Sequence, residues 1–134
     1  MERYNMEKAL IIVPFASVGN VAFDSKREDV RNSLGTYTEF KKSRFSKNTT
    51  DNFGGFHVFY TQNNEVEAIE IFPFVKAVYN GKNIFELSKQ EVISLFGDEN
   101  FKEEEESLVF PSYGIEVVIE EERVSSVFAH TKGY

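Results

Sequence analysis

The chain has 134 residues, 41% of them hydrophobic and 15% aromatic, with fourteen Phe and six Tyr against no Trp and no Cys. That length suits one domain (1–134) around one modest core filled largely with flat rings, and the lack of Cys excludes disulfides, thiol nucleophiles and thiolate metal sites and favours a reducing compartment. The net charge of −7 argues against phosphate backbones as the main partner and favours basic proteins instead.

The apolar run Ala9-Leu10-Ile11-Ile12-Val13 reads as an edge or cross-pairing strand. Pro14 ends it, Glu2 and Glu7 spoil a positive leader region, and no stretch reaches bilayer length, so a cytoplasmic location is expected. Ser25-Lys26-Arg27-Glu28, running on to Leu34-Gly35, predicts a helix over 25–35, with Ser25 as N-cap, Glu28 reaching back to it and Gly35 as the left-handed stop. Thr36 to Asp51 reads as a polar connection. Within it Phe40-Lys41-Lys42-Ser43-Arg44-Phe45-Ser46-Lys47 interleaves four cations with two rings, a composition that also suits single-stranded nucleic acid; it is taken here as a solvated loop. Gly54-Gly55 precedes a strand rather than a helix, so it reads as a strand-entry bend and not a phosphate cradle.

A hairpin follows from Phe56 to Ile69, turning at Gln62-Asn63-Asn64. The helix signature then returns as Ser88-Lys89-Gln90-Glu91 with Phe96-Gly97, predicting a second helix over 88–97, and a second hairpin runs from Gly114 to Val127 through Glu120-Glu121-Glu122. Laid over each other with a shift of 58, the hairpins match Phe59 with Val117, Tyr60 with Val118, Val66 with Val124 and Ile69 with Val127. The expected fold is therefore α+β: two tandem helix–hairpin repeats, about 18–72 and 83–130, forming one antiparallel sheet with the helices on one face. By the same shift, Ile115, Val117 and Ile119 face the helices, while Phe56, Val58 and Tyr60 fall on the outer face beside Glu116. That face would be an aromatic patch with an acidic rim, unless the N-terminal segment or Phe72-Pro73-Phe74-Val75 covers it.

Catalytic constellations are sparse. His57 and His130 occupy unrelated places, no Gly-x-Ser-x-Gly, Walker or His-Glu-x-x-His motif is present, and Glu67 and Glu70 would fall on opposite strand faces. The acidic runs Glu103–Glu106 and Glu120–Glu122 lack the alternating Asp/Asn and Gly turn of a calcium loop. Neither an enzyme nor a cofactor nor a metal is expected.

A helix and antiparallel hairpin used twice resembles the tandem arrangement of the β-lactamase inhibitor protein. The stretch Val18 to Val30, with Leu34-Gly35, is similar to the start of the BamE (small-protein-A) repeat. Both resemblances imply protein binding rather than catalysis. In size and acidity the chain is also similar to cytosolic immunity proteins of bacterial toxin systems. The expected function is a non-catalytic protein-binding or inhibitor module, an immunity-type protein neutralising a basic toxin. Its partner-binding residues would be Phe56, Val58, Tyr60, Glu116, Glu120, Glu121 and Glu122, with no nucleic acid and no membrane involved. The alternative is a small enzyme or ligand-binding domain with a cleft between the repeats near His57, Tyr79 and Tyr113.

Overall fold

The computed structural model describes residues 8–134. Two sheets share one buried apolar cluster, to which Leu10, Ile12 and Ala77 contribute from one sheet and Val58, Ile69, Phe110 and Val127 from the other. The smaller sheet has the order β3 (Val21–Ala22), β2 (Ser17–Val18), β1 (Ala9–Val13), β8 (Lys76–Tyr79), β9 (Lys82–Asn83). The larger, wholly antiparallel between neighbours, has the order β10 (Lys102–Glu103), β11 (Ser107–Phe110), β12 (Ile115–Glu120), β13 (Arg123–His130), β7 (Val66–Ile71), β6 (Phe56–Tyr60), β5 (Thr50–Asn52), β4 (Thr38–Phe40). Among the described residues there are two α-helices, α1 (Arg27–Leu34) and α2 (Lys89–Phe96), and one 3-10 turn, Ile84–Glu86.

The expected α+β fold of two helix–hairpin repeats is corrected by this architecture. The protein is mostly β, with 43% strand against 15% helix, and its strands form two sheets rather than one. Segments read as connections are strands: β4 and the first two residues of β5 lie in the polar stretch Thr36 to Asp51, and the two strands pair with each other. They escape a pattern search because three residues are too few to display alternation. β1 is not an edge strand. It sits in the middle of the smaller sheet, antiparallel to β2 and parallel to β8. No helix among the described residues is long and apolar enough to cross a membrane.

The two helix signatures behave differently. Ser88 caps α2 as expected: its Oγ accepts from the Glu91 N–H at 3.1 Å, Glu91 accepts from the Ser88 N–H at 2.8 Å, and Gly97 closes the helix in the left-handed region. Ser25 does not cap α1. The backbone from Asp24 to Arg27 is pinned to the β6–β7 turn, with the Asp24 N–H donating to Val66, the Val66 N–H to Ser25 and the Arg27 N–H to Asn64. The helix therefore starts beyond Lys26, and the Ser25 hydroxyl turns back to the Ala22 carbonyl. The turn carbonyl of Asn64 does for the Arg27 N–H what a cap side chain would have done.

Gly55 opens β6 as a bend with a packing reason. A Cβ there would lie 2.7 Å from a Val75 methyl.

Register decides which residues can meet a partner. β6 begins with Phe56 opposite Ile71, and β12 with Ile115 opposite Ala129. Phe56 thus stands in β6 where Ile115 stands in β12, one residue away from the place the shift of 58 assigns it. A one-residue slip exchanges the two faces of a strand. Phe56, Val58 and Tyr60 accordingly point into the core and are buried, at 4%, 0% and 4% exposure. The residues on the other face of this strand are His57 and Phe59, opposite Glu70 and Ala68; Phe59 is only 7% exposed there, covered by Lys42 and Phe128.

Candidate functional site

The seven residues expected to form one binding surface lie in three places. Phe56, Val58 and Tyr60 are core residues. Glu116 sits half-buried on the outer face of the larger sheet, opposite Phe128. Glu120, Glu121 and Glu122 form the exposed end of the β12–β13 hairpin.

There the structure does bring distant residues together. The turn between β10 and β11 carries Glu104, Glu105 and Glu106, and it lies beside Glu120, Glu121 and Glu122 to line one groove of about 1070 Å³. Leu108 and Ile119 are apolar residues of its wall, and the start of α2 closes the other side with Ser88, Lys89 and Gln90. Lys89 is ion-paired with Glu103. The two runs meet because the Glu106 carbonyl accepts from the Ile119 N–H at 2.8 Å, continuing the β11–β12 ladder to its end.

Glu120 pairs with Arg123, leaving Glu121 and Glu122 as a two-residue turn with φ of 53° and 66°. Positive φ at both central residues is the requirement of a type I′ turn, whose preferred occupants are Asn-Gly. Two glutamates in that conformation are a local cost, and such costs collect where a protein uses the side chains for something else.

A second polar assembly locks α1 to the larger sheet. The fully buried Asp51 carboxylate accepts from Arg27 at 2.9 Å, from Arg31 at 2.7 and 2.8 Å, and from the Tyr60 hydroxyl at 3.0 Å. Arg31 also reaches Glu39, which accepts from the Thr49 hydroxyl. The Arg27 guanidinium lies 4.3 Å from the Tyr60 ring centre, and its Nε is the one buried side-chain polar atom without a partner among the described residues. Burial alone would raise the Asp51 carboxyl, but the hydrogen bonds from Arg31, Arg27 and Tyr60 outweigh it and hold Asp51 below its ordinary range. Burial, reinforced by Asp51, pushes the Tyr60 phenol well above its ordinary value. The carboxylate has its oxygens taken by four donated hydrogen bonds, and the Tyr60 proton is spent on one of them. This cluster holds structure.

Of the three residues of the expected cleft, Tyr79 and Tyr113 meet edge-on at 5.9 Å, whereas His57 packs against other rings. His57 packs between Phe40 and Phe72, at 5.0 and 4.7 Å between ring centres. Tyr79 and Tyr113 pack on Phe96, at 4.9 and 5.3 Å. Burial lowers the His57 pKa, with Glu70 opposing it, and the ring meets its neighbours edge-on and tilted as part of an aromatic cluster. No group of three metal-ligating side chains occurs among the described residues.

Sequence reasoning missed the aromatic outer face. Phe59 meets Phe128 edge-on at 5.8 Å, the Lys42 ammonium lies 4.9 Å from the centre of the first ring and 5.7 Å from that of the second, and His130 stacks on Tyr134 at 5.0 Å. No local signal marks it, because the parity of β6 follows from the pairing of Phe56 with Ile71, which the folded chain sets.

Comparison of the chain with protein-family models, with curated proteins and with solved structures finds no match. The resemblances to the β-lactamase inhibitor protein, to BamE and to immunity proteins rest on the sequence features quoted for them.

Proposed function

We propose that this chain is a non-catalytic protein-binding module of the immunity type, which captures a basic, toxin-like protein in its acidic groove. One observation carries the reading: two glutamate runs separated in sequence line a single groove with apolar residues in its wall. Six carboxylates around apolar contacts suit a partner that presents Lys or Arg beside an aliphatic or aromatic anchor. The strained Glu121-Glu122 turn supports the same reading, since stability alone would favour Asn-Gly there. Tyr60, expected as an anchor, plays no part in it, because its ring is in the core.

The test is co-expression with the product of the adjacent coding sequence, followed by association kinetics across a salt series. Replacing Glu120, Glu121 and Glu122 with Gln should lower the association rate severalfold at low salt and much less at high salt, with little change in dissociation. An association rate insensitive to both salt and this triple change refutes the groove as the docking site.

A further inference from the structure

The β4–β5 connection and the outer face beside it have a character opposite to that of the acidic groove. Lys41, Lys42, Arg44 and Lys47 are exposed there, and Lys132 is exposed on the C-terminal segment that carries Tyr134. Among the described residues none of the five lies in an ion pair; the pairs that form use Lys26, Arg27, Arg31 and Lys89. Three of the five sit on rings instead, Lys42 over Phe59 and Phe128, Arg44 over Phe45 and Lys132 over Phe15. Phe45 is 78% exposed and Tyr134 57%. Between the loop and the β6–β7 turn runs a polar groove of about 550 Å³, lined by Lys42, Lys47, Gln62, Asn63 and Tyr134 with Phe59. The side-chain amides of Gln62 and Asn63 make no hydrogen bond within the described residues.

We infer that this groove and its rim bind single-stranded nucleic acid. Such a strand needs cations along a track for its phosphates, exposed rings on which bases stack, and free donors and acceptors for base edges. Lys41, Lys42, Arg44 and Lys47 supply the first, Tyr134 and Phe45 the second, and Gln62 and Asn63 the third. Net charge is a sum over the whole chain, whereas a strand responds to the field near it. The acidic groove lies at the β12–β13 turn and the basic groove at the β6–β7 turn, and because β13 and β7 are antiparallel the two turns are at opposite ends of the larger sheet, about 23 Å apart along β13 at roughly 3.3 Å per residue. That is well over twice the screening length of about 8 Å at physiological salt. Glu67 borders the groove and Glu70 and Glu116 flank Phe128, which packs on Tyr134, so the track runs on the loop side.

The experiment is fluorescence anisotropy with labelled twelve-nucleotide oligo-dT and oligo-rU between 50 and 200 mM salt. With about four phosphate contacts, the logarithm of affinity should fall with the logarithm of salt at a slope of about −3. Replacing Lys41 and Lys47 together with Ala should roughly halve that slope, and Tyr134→Ala should weaken binding about tenfold at unchanged slope. All three side chains are exposed, and circular dichroism confirms that the variants keep the fold. Glu120, Glu121 and Glu122 changed to Gln should leave oligonucleotide affinity at physiological salt as it was, so this site and the acidic groove fail or succeed separately. Absence of binding at 50 mM salt, equal binding to a duplex of the same length, or competition by a mononucleotide as effective as by the oligonucleotide overturns the inference.

Discussion

The β12–β13 turn allows stability and function to be set against each other in one variant. Glu121 and Glu122 both have positive φ, a conformation that costs an ordinary side chain roughly 1–2 kcal/mol and Gly almost nothing. Replacing them with Asn and Gly relieves most of that at both positions. It also takes two charges out of a set of six neighbouring carboxylates, which adds a few tenths of a kcal/mol at an exposed site. The expected gain is about 1–2 kcal/mol, or roughly 4–8 °C in Tm for a chain of this length. Urea unfolding followed by far-ultraviolet circular dichroism and tyrosine fluorescence measures it; no Trp is present to dominate the emission. The midpoint should rise at unchanged slope, while the association rate with the basic partner falls. A variant no more stable than the parent would show that the turn stores no strain, and the argument from its conformation to its use would fail.

Asp51→Asn should cost about 3–5 kcal/mol by leaving two guanidinium groups, one of them buried, without their carboxylate; a loss under about 1 kcal/mol in the same urea assay refutes the lock. The parent should also lose this stabilisation in acid. Native Asp51 stays ionised where the unfolded side chain protonates near pH 3.9, so the increment is complete above that value and disappears as pH falls through the depressed native pKa, a dependence the Asn variant lacks. Ser88→Ala should cost about 1 kcal/mol through the lost cap, and Ser25→Ala distinctly less, since Ser25 caps nothing; equal costs in thermal unfolding would contradict the assigned helix starts. Native His57 stays neutral below the 6.5 at which the unfolded ring takes a proton, so the parent loses stability as pH drops from there towards the native pKa. His57→Phe should flatten that slope and leave partner binding intact, and a slope unchanged in calorimetry between pH 7 and 5 would place His57 in water.

Ser88 with Glu91 and Gly97 is legible in the sequence because a capping box is a local device, complete within ten residues and indifferent to what surrounds it. Its near copy at Ser25 has the same letters, but the Asp24–Arg27 backbone finds partners in a turn some forty residues away, and such a contact leaves no trace in local order. The hairpins were legible for the same local reason, and so was the grouping of acidic residues into two runs. That the runs share a groove was not, since the last turn of the β11–β12 ladder joins them.

What the sequence determined by itself, then, was the chemistry available: rings for a core, acidic turns, a basic loop and no thiol. The tertiary structure decided which of these go to the core and which to the outer face of the sheet. Strand faces alternate every residue, so whether Phe56, Val58 and Tyr60 or His57 and Phe59 look outward hangs on a single step of register, and only the pairing of Phe56 with Ile71 settles that step. The register of β5 on β6 likewise sets Asp51 opposite Val58, where two arginines of α1 can reach it. Burial of an ionised carboxylate among charges so far apart in sequence is a property of the folded chain alone.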